Sequence, residues 1–309
     1  MKLLYLLHIA ITATSLPVAS TSAQVFLPAK SQNSSNNPGD ATATENVIVK
    51  WDIPYVANGH ARQTLDLYIP LTGQPVPLVV WVHGGAWKLG SKDWINVKYL
   101  TQQGYAIASV DYRFSGDAKF PAQIQDCNTA LNFLVANAAS YGIDPKRLVV
   151  GGGSAGAHLA LLLGLARSGM SFGADPNIHL LAILDFFGPV DFVSLLEEVD
   201  QGQEREEAED VFHRLLGASP ATRPDLARLA SPLTYVSPGN PPVMILHGDK
   251  DASVPYRQSQ QLRARLTQAG IRNELVTVKG VGHDGPMFAT PELQERVISF
   301  LQSLVPAKP

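Results

Sequence analysis

Gly152, Ser154 and Gly156 stand at the spacing G-x-S-x-G, directly after the apolar run Leu148-Val149-Val150 and before the helix-forming stretch Ala155 to Ala166. That pattern suits one chemistry: a serine at the tip of a sharp strand-to-helix turn, its hydroxyl presented as a nucleophile. The residues two before and two after such a serine must lack side chains, because neighbouring backbone passes close by. The same stretch also spells G-x-G-x-x-G through Gly151, Gly153 and Gly156, the fingerprint of a dinucleotide loop. Asp175 lies near the offset of a ribose-binding acid, but in the loop Gly173-Ala174-Asp175-Pro176 instead of at a strand end. The rest of the chain favours the serine.

A serine hydroxyl attacks only when a base takes its proton, and the base needs an acid to orient it. Of eight histidines, His8 falls in the N-terminal segment 1–23, which reads as a signal peptide, and His60 and His213 fall in peripheral segments. His158 lies one helical turn after Ser154 and reads as packing, and His179 merely precedes a strand. His83, His247 and His283 remain, each beside glycine at a strand end or in the loop beyond. His283, in Lys279-Gly280-Val281-Gly282-His283-Asp284-Gly285 after the last strand, gives the order serine, acid, histidine. For the acid, Asp249 and Asp251 in His247-Gly248-Asp249-Lys250-Asp251 are both candidates, Asp185 is a third, and a simple turn-forming role is the alternative for each. Acyl transfer also needs donors for an oxyanion. His83-Gly84-Gly85-Ala86-Trp87 offers consecutive unhindered amides, and Ala155, first in its helix, offers another. His83 reads as an organiser of that loop. Trp87 is a candidate wall of the substrate pocket, with packing as the alternative reading.

These residues require a scaffold of alternating strands and helices. Strand patterns run over Asn46 to Ile53, Thr64 to Ile69, Leu78 to Val82, Tyr105 to Val110, Arg147 to Val150, Leu180 to Phe186, Pro242 to Leu246 and Glu274 to Val278. Helices are expected from Asp93 to Gln103, from Pro121, over Ala155 to Ala166, Tyr256 to Ala269 and Glu292 to Leu304, the last with Thr290 as cap and Pro291 at its first position. The fold class is therefore α/β: a mostly parallel sheet covered on both faces, with an antiparallel pair at the start. The exception is about 188–240, a lid-like insertion without strand pattern, in which Ala208, Val211, Phe212, Leu215 and Leu216 predict one amphipathic helix. Its acidic run from Glu197 to Asp210 reads as a solvated helix face.

The chain has 309 residues, 45% hydrophobic and 17% charged, enough for a sizeable core. A net charge of −3 leaves no basic face for nucleic acid. Residues 1–23 read as a signal peptide: Lys2, the apolar run Leu3 to Ile11, and the small-residue site Thr21-Ser22-Ala23. The run is too short for a stable membrane span, so a secreted or periplasmic location is expected. Residues 24–45 are polar and read as a flexible leader, which places the folded domain at 46–306. Cys127 is the only cysteine, so an intrachain disulfide is impossible. No metal-binding motif such as H-E-x-x-H occurs, and no cofactor is expected. The oligomeric state stays open.

Together, His83 to Trp87, Lys88 to Lys92, Asp111-Tyr112-Arg113, Phe120 to Gln123, Tyr141 to Pro145, Gly152 to His158 and His247 to Pro255 resemble an α/β-hydrolase over Val47 to Val305. The pattern is similar to the esterase/lipase group that includes acetyl xylan esterases, feruloyl esterases and relatives of hormone-sensitive lipase. The resemblance implies Ser154 as nucleophile, Asp251 as the acid and His283 as the base, with Gly84, Gly85 and Ala155 forming the oxyanion hole. It also implies that Arg113 and Asp126 pair structurally. Ala86 stands where many relatives have a third glycine, and Gly156-Ala157 where they have two, but no needed amide is lost. The implied activity is hydrolysis of small or short-chain esters, including acetylated or feruloylated carbohydrate. Rival readings are a prolyl-oligopeptidase-like peptidase, though without its propeller domain, an arylformamidase, and a non-catalytic binding module on the same scaffold.

Overall fold

The computed structural model describes residues 42–44, 46–168, 172–199, 203–283 and 285–305. The expected signal peptide and most of the expected leader lie outside the described residues. The end of that leader, Thr42–Thr44, is a short edge strand, β1, paired with β2.

The sheet comprises β1, β2 (Val47–Pro54), β3 (Thr64–Pro70), β4 (Val76–Val82), β5 (Ala106–Val110), β6 (Ile143–Gly153), β7 (Ala182–Phe186), β8 (Val243–Gly248) and β9 (Asn273–Val278), in the order 1-2-3-5-4-6-7-8-9. β1, β2 and β3 join antiparallel, as does β3 to β5, and every pairing from β5 to β9 is parallel. The apolar runs of β4 to β8 explain this arrangement. Residues such as Leu78, Val79, Val80, Trp81 and Val82 are all fully buried, which requires cover on both faces. That cover comes from α1 (Ala122–Ala136), the short α2 (Ala138–Tyr141), α3 (Ala155–Leu165), α7 (Arg257–Gln268) and α8 (Pro291–Gln302). Thr290 caps α8 by accepting from Leu293 N, as its position before Pro291 predicts. Among the described residues no helix is long and apolar enough to cross a membrane.

Two expectations are corrected. The helix expected from Asp93 to Gln103 is only a 3₁₀ segment, Lys98–Gln103. Ser91 and Asp93 bond to each other, and the carbonyl of Trp94 accepts from the Trp81 indole, so local turn bonds replace a first helical turn. Among its described residues the insertion holds three α-helices, not one: α4 (Phe192–Glu198), α5 (Gln203–Leu216) and α6 (Pro224–Ala230). α4 and α6 are only two turns long, too short to leave a clear periodic stripe. α5 buries Phe212, Leu215 and Leu216, the stripe expected of it.

Candidate active site

Ser154 follows the last residue of β6 and precedes α3, with φ 53° and ψ −121°. A non-glycine residue in this region is strained by about 1–3 kcal/mol and persists only where surrounding structure enforces it. The enforcement is visible. Ser154 N donates to Phe186 O of β7 (2.9 Å), and His158 N donates back to Ser154 O (3.0 Å). Gly156 packs so closely on β4 that a Cβ there would collide with the Val82 carbonyl oxygen and lie 2.5 Å from that of His83. This is the close approach that demands glycine two residues after the serine.

His283, in the loop after β9, faces Ser154: its Nε2 lies 2.8 Å from Ser154 Oγ. Its Nδ1 lies 2.7 Å from Asp251 Oδ2. A carboxylate only accepts, so Nδ1 carries the proton and the Nε2 lone pair is free to accept from the serine hydroxyl. Asp251 is fixed in turn. Its Oδ1 accepts from Ser253 N (3.0 Å) and Val254 N (2.8 Å), and its Oδ2 lies 3.1 Å from His247 Nε2. Burial acts to raise its pKa, but hydrogen bonds from His247 and His283 outweigh that and hold it at about 2. Asp251 is therefore the carboxylate that meets His283.

The other acid candidates have structural places. Asp249 Oδ1 accepts from Gly280 N (2.7 Å), and Lys250 N donates to Val281 O (2.9 Å), so the acid-bearing loop is stitched to the loop carrying His283. Asp185 is buried at the end of β7, where Oδ1 accepts from Gly188 N (2.9 Å). Burial pushes its pKa up to about 7. Arg113 and Asp126 form the expected pair, through Nη2 at 2.7 Å and Nε at 2.9 Å.

The loop after β4 runs beside the serine. A Cβ placed on Gly84 would sit 3.4 Å from Ser154 Cβ. Gly85, Ala86 and Trp87 have φ values of 109°, 50° and 56°, a left-handed run closed by Lys88 N and Leu89 N donating to Gly85 O (both 3.0 Å). Only Gly85 adopts such backbone without cost. The strain at Ala86 and Trp87 left no mark in the sequence. His83 Nδ1 lies 2.6 Å from Gly84 O, so it donates there and organises the loop. Ala155 opens α3, where its N–H has no carbonyl four residues back within the helix.

Trp87 corrects an expectation. It is only 3% exposed and packs edge-on against His158 (5.0 Å between ring centres) and against Phe192 (5.5 Å). It is a buried strut between α3 and the insertion, not an open pocket wall. His158 itself stacks on Phe192 and bonds Ala230 O through Nε2 (2.7 Å), a packing residue as expected. Two further residues complete the site: His247, which the sequence left among the candidate bases without this role, and Phe187, which it did not mark. His247 supports the acid: its Nε2 faces Asp251 Oδ2 and Val254 O, and Ser259 Oγ sits 2.6 Å from Nδ1. Its spacing of four from Asp251 was a visible signal, but only of a shared loop. Phe187, with φ 48°, sets its ring 4.9 Å from that of His283, and nothing in its sequence neighbourhood marked it.

A family model described as BD-FAE matches residues 65–266, a span that holds Ser154 and Asp251 and ends before His283. Esterase LipQ of Mycobacterium tuberculosis is 30% identical over 230 residues, 71% of this chain and 53% of that protein. A probable isoprenylcysteine alpha-carbonyl methylesterase ICME of Oryza sativa subsp. japonica is 29% identical over 256 residues, 78% of this chain and 61% of that protein. The chain thus spans little more than half the length of these curated relatives. Among solved structures, a truncated form of a carbohydrate esterase from gut microbiota superposes with a TM-score of 0.76 at 26% identity, covering 86% of this chain and 99% of that one. Esterase B from Lactobacillus rhamnosis (HN001) superposes with a TM-score of 0.71 at 25% identity, covering 86% and 87%. The matched span exceeds half the chain and the fold is shared: the chain belongs to the BD-FAE family and is an α/β-hydrolase.

Proposed function

We propose that this chain is a serine carboxylic-ester hydrolase that works through an acyl-enzyme. The observation that carries the reading is the continuous relay Ser154 Oγ, His283, Asp251, at 2.8 and 2.7 Å. His283 takes the proton of Ser154 as Oγ attacks the ester carbonyl, and Asp251, ionised far below neutral pH, stabilises the imidazolium that forms. The amides of Gly85 and Ala155, with Gly84 shaping the approach, receive the oxyanion. His283 then gives its proton to the departing alcohol. In the second half it activates water, which releases the acid and restores Ser154. The assembled relay also disfavours a non-catalytic binding role, which has no use for a base beside a strained serine.

The substrates proposed are small or short-chain esters, including acetylated or feruloylated carbohydrate. The likeness to a carbohydrate esterase supports the carbohydrate part. Export, proposed from the signal-peptide pattern at 1–23, would put such substrates within reach. The test is a panel of p-nitrophenyl esters of rising acyl length, run beside acetylated xylan and methyl ferulate. Hydrolysis is expected to peak at acetate or butyrate, with activity on at least one of the two carbohydrate-related substrates. A maximum at long acyl chains would contradict the short-chain reading, and turnover of peptide or formamide substrates alone would contradict esterase action.

A further inference from the structure

Arg62 sits in the loop between β2 and β3, three residues before the span matched by the family model. Its guanidinium nevertheless reaches the loop that follows β4. Nε donates to Tyr112 O (3.0 Å), and Nη2 donates to Asp111 Oδ1 (3.0 Å) and Gly90 O (3.2 Å) and lies 3.4 Å from His83 Nε2. The guanidinium carbon lies 3.4 Å from the centre of the Phe114 ring, so the fork is held flat. Asp111 Oδ1 also accepts from Lys92 N (3.0 Å) and lies 3.1 Å from His83 Nε2. The buried His83 ring stacks on Tyr112 (4.6 Å, 15° between planes), and Tyr112 Oη donates to His83 O (3.1 Å).

We infer that Arg62 is a positioning residue for the oxyanion hole, acting through His83 and Gly90 on the Gly84–Gly85 peptide. In a trans peptide the carbonyl of one residue and the N–H of the next point in opposite directions. His83 Nδ1 holds the Gly84 carbonyl on one side, so it aims the Gly85 N–H to the other. The ring can hold that peptide only while its far nitrogen is fixed, and Arg62 with Asp111 fixes it. The same guanidinium ties down Gly90 O, the other end of the loop. Arg62 thus clamps both ends of the segment that supplies one oxyanion donor, without touching substrate. Lysine cannot replace it, since one ammonium cannot span Tyr112 O, Asp111 and Gly90 O as the planar fork does. The inference rests on the oxyanion role given above to Gly85.

The test compares wild type, Arg62→Met and Arg62→Lys on p-nitrophenyl acetate. Losing an oxyanion donor outright costs ~10²–10³ in kcat, so a donor set free to misaim should cost about 10- to 100-fold. That loss should fall on kcat with KM unchanged. The inhibition constant of an alkylboronic acid, whose tetrahedral serine adduct puts an oxygen at the oxyanion position, should rise in parallel. Added methylguanidinium should restore part of the rate of Arg62→Met. If Arg62→Met does not fold, Arg62→Lys, which keeps the charge and the stem, carries the same test. Unchanged kcat, or a loss confined to thermal stability with boronate binding intact, would overturn the inference. An inactive wild type would instead overturn the hydrolase reading, so the two failures are separable.

Discussion

His247 and His283 share a single carboxylate oxygen, Asp251 Oδ2, at 3.1 and 2.7 Å. Spacing alone could not separate Asp251 from Asp249, because both stand in one loop. The separation comes from backbone amides: those of Ser253 and Val254 turn Asp251 inward, whereas Asp249 turns out to Gly280. Asp185 was legible as a strand-end acid, but its burial was not, and that burial yields a prediction. Its pKa rises from 3.8 to about 7 on folding. Between pH ~4 and ~7 the unfolded chain releases this proton while the folded chain keeps it, so stability falls as pH rises, by about 4 kcal/mol in all. His158, held at about 4 by burial, gives the opposite slope between about 4 and 6.5. The measurement is therefore a difference: denaturant unfolding of Asp185→Asn against wild type across this range. The variant should gain relative stability steadily up to pH ~7. A constant difference would show that Asp185 is ionised in the folded chain.

At the scale of elements, the strands were legible because β4 to β8 are apolar throughout, as strands covered on both faces must be. The insertion was legible only as a gap in that pattern plus one helical stripe. α4 is fixed by polar contacts from α7 that carry no periodic signature: Gln258 Nε2 and Gln261 Nε2 donate to Glu198 (2.8 and 2.7 Å). α5 is tied by Phe120 N and Lys119 Nζ, which donate to Leu215 O and Arg214 O (2.8 and 2.6 Å). Trp87 links these helices to α3 through Phe192, Phe212 and His158. A buried strut should affect stability more than specificity. Trp87→Phe is expected to cost about 2 kcal/mol, seen as a fall of about 4–8 °C in Tm. The ratio of KM values for acetate and butyrate esters should not change. A changed ratio with an unchanged Tm would restore Trp87 as a pocket wall.

Across the whole molecule, Ser154 and His283 stand 129 residues apart, and Asp251 and His283 stand 32 apart. They meet because β6, β8 and β9 run parallel, so the residues following each strand gather at one edge of the sheet. Alternating strands and helices made that edge readable, and the order serine, acid, histidine along the chain agreed with it. The Arg62 clamp was not readable, because two of its partners are carbonyl oxygens, which every residue type possesses, and its side-chain partners His83 and Asp111 lie 21 and 49 residues away. The central claim is that this assembled edge activates Ser154, and covalent labelling tests it most directly. The folded protein is treated with a fluorophosphonate and the adduct is located by peptide mass mapping, with Ser154→Ala as control. The expected result is one adduct, on Ser154, with hydrolysis lost in step with labelling and both absent in the variant. Ester hydrolysis that persists in Ser154→Ala, or an adduct on another residue, would contradict the account.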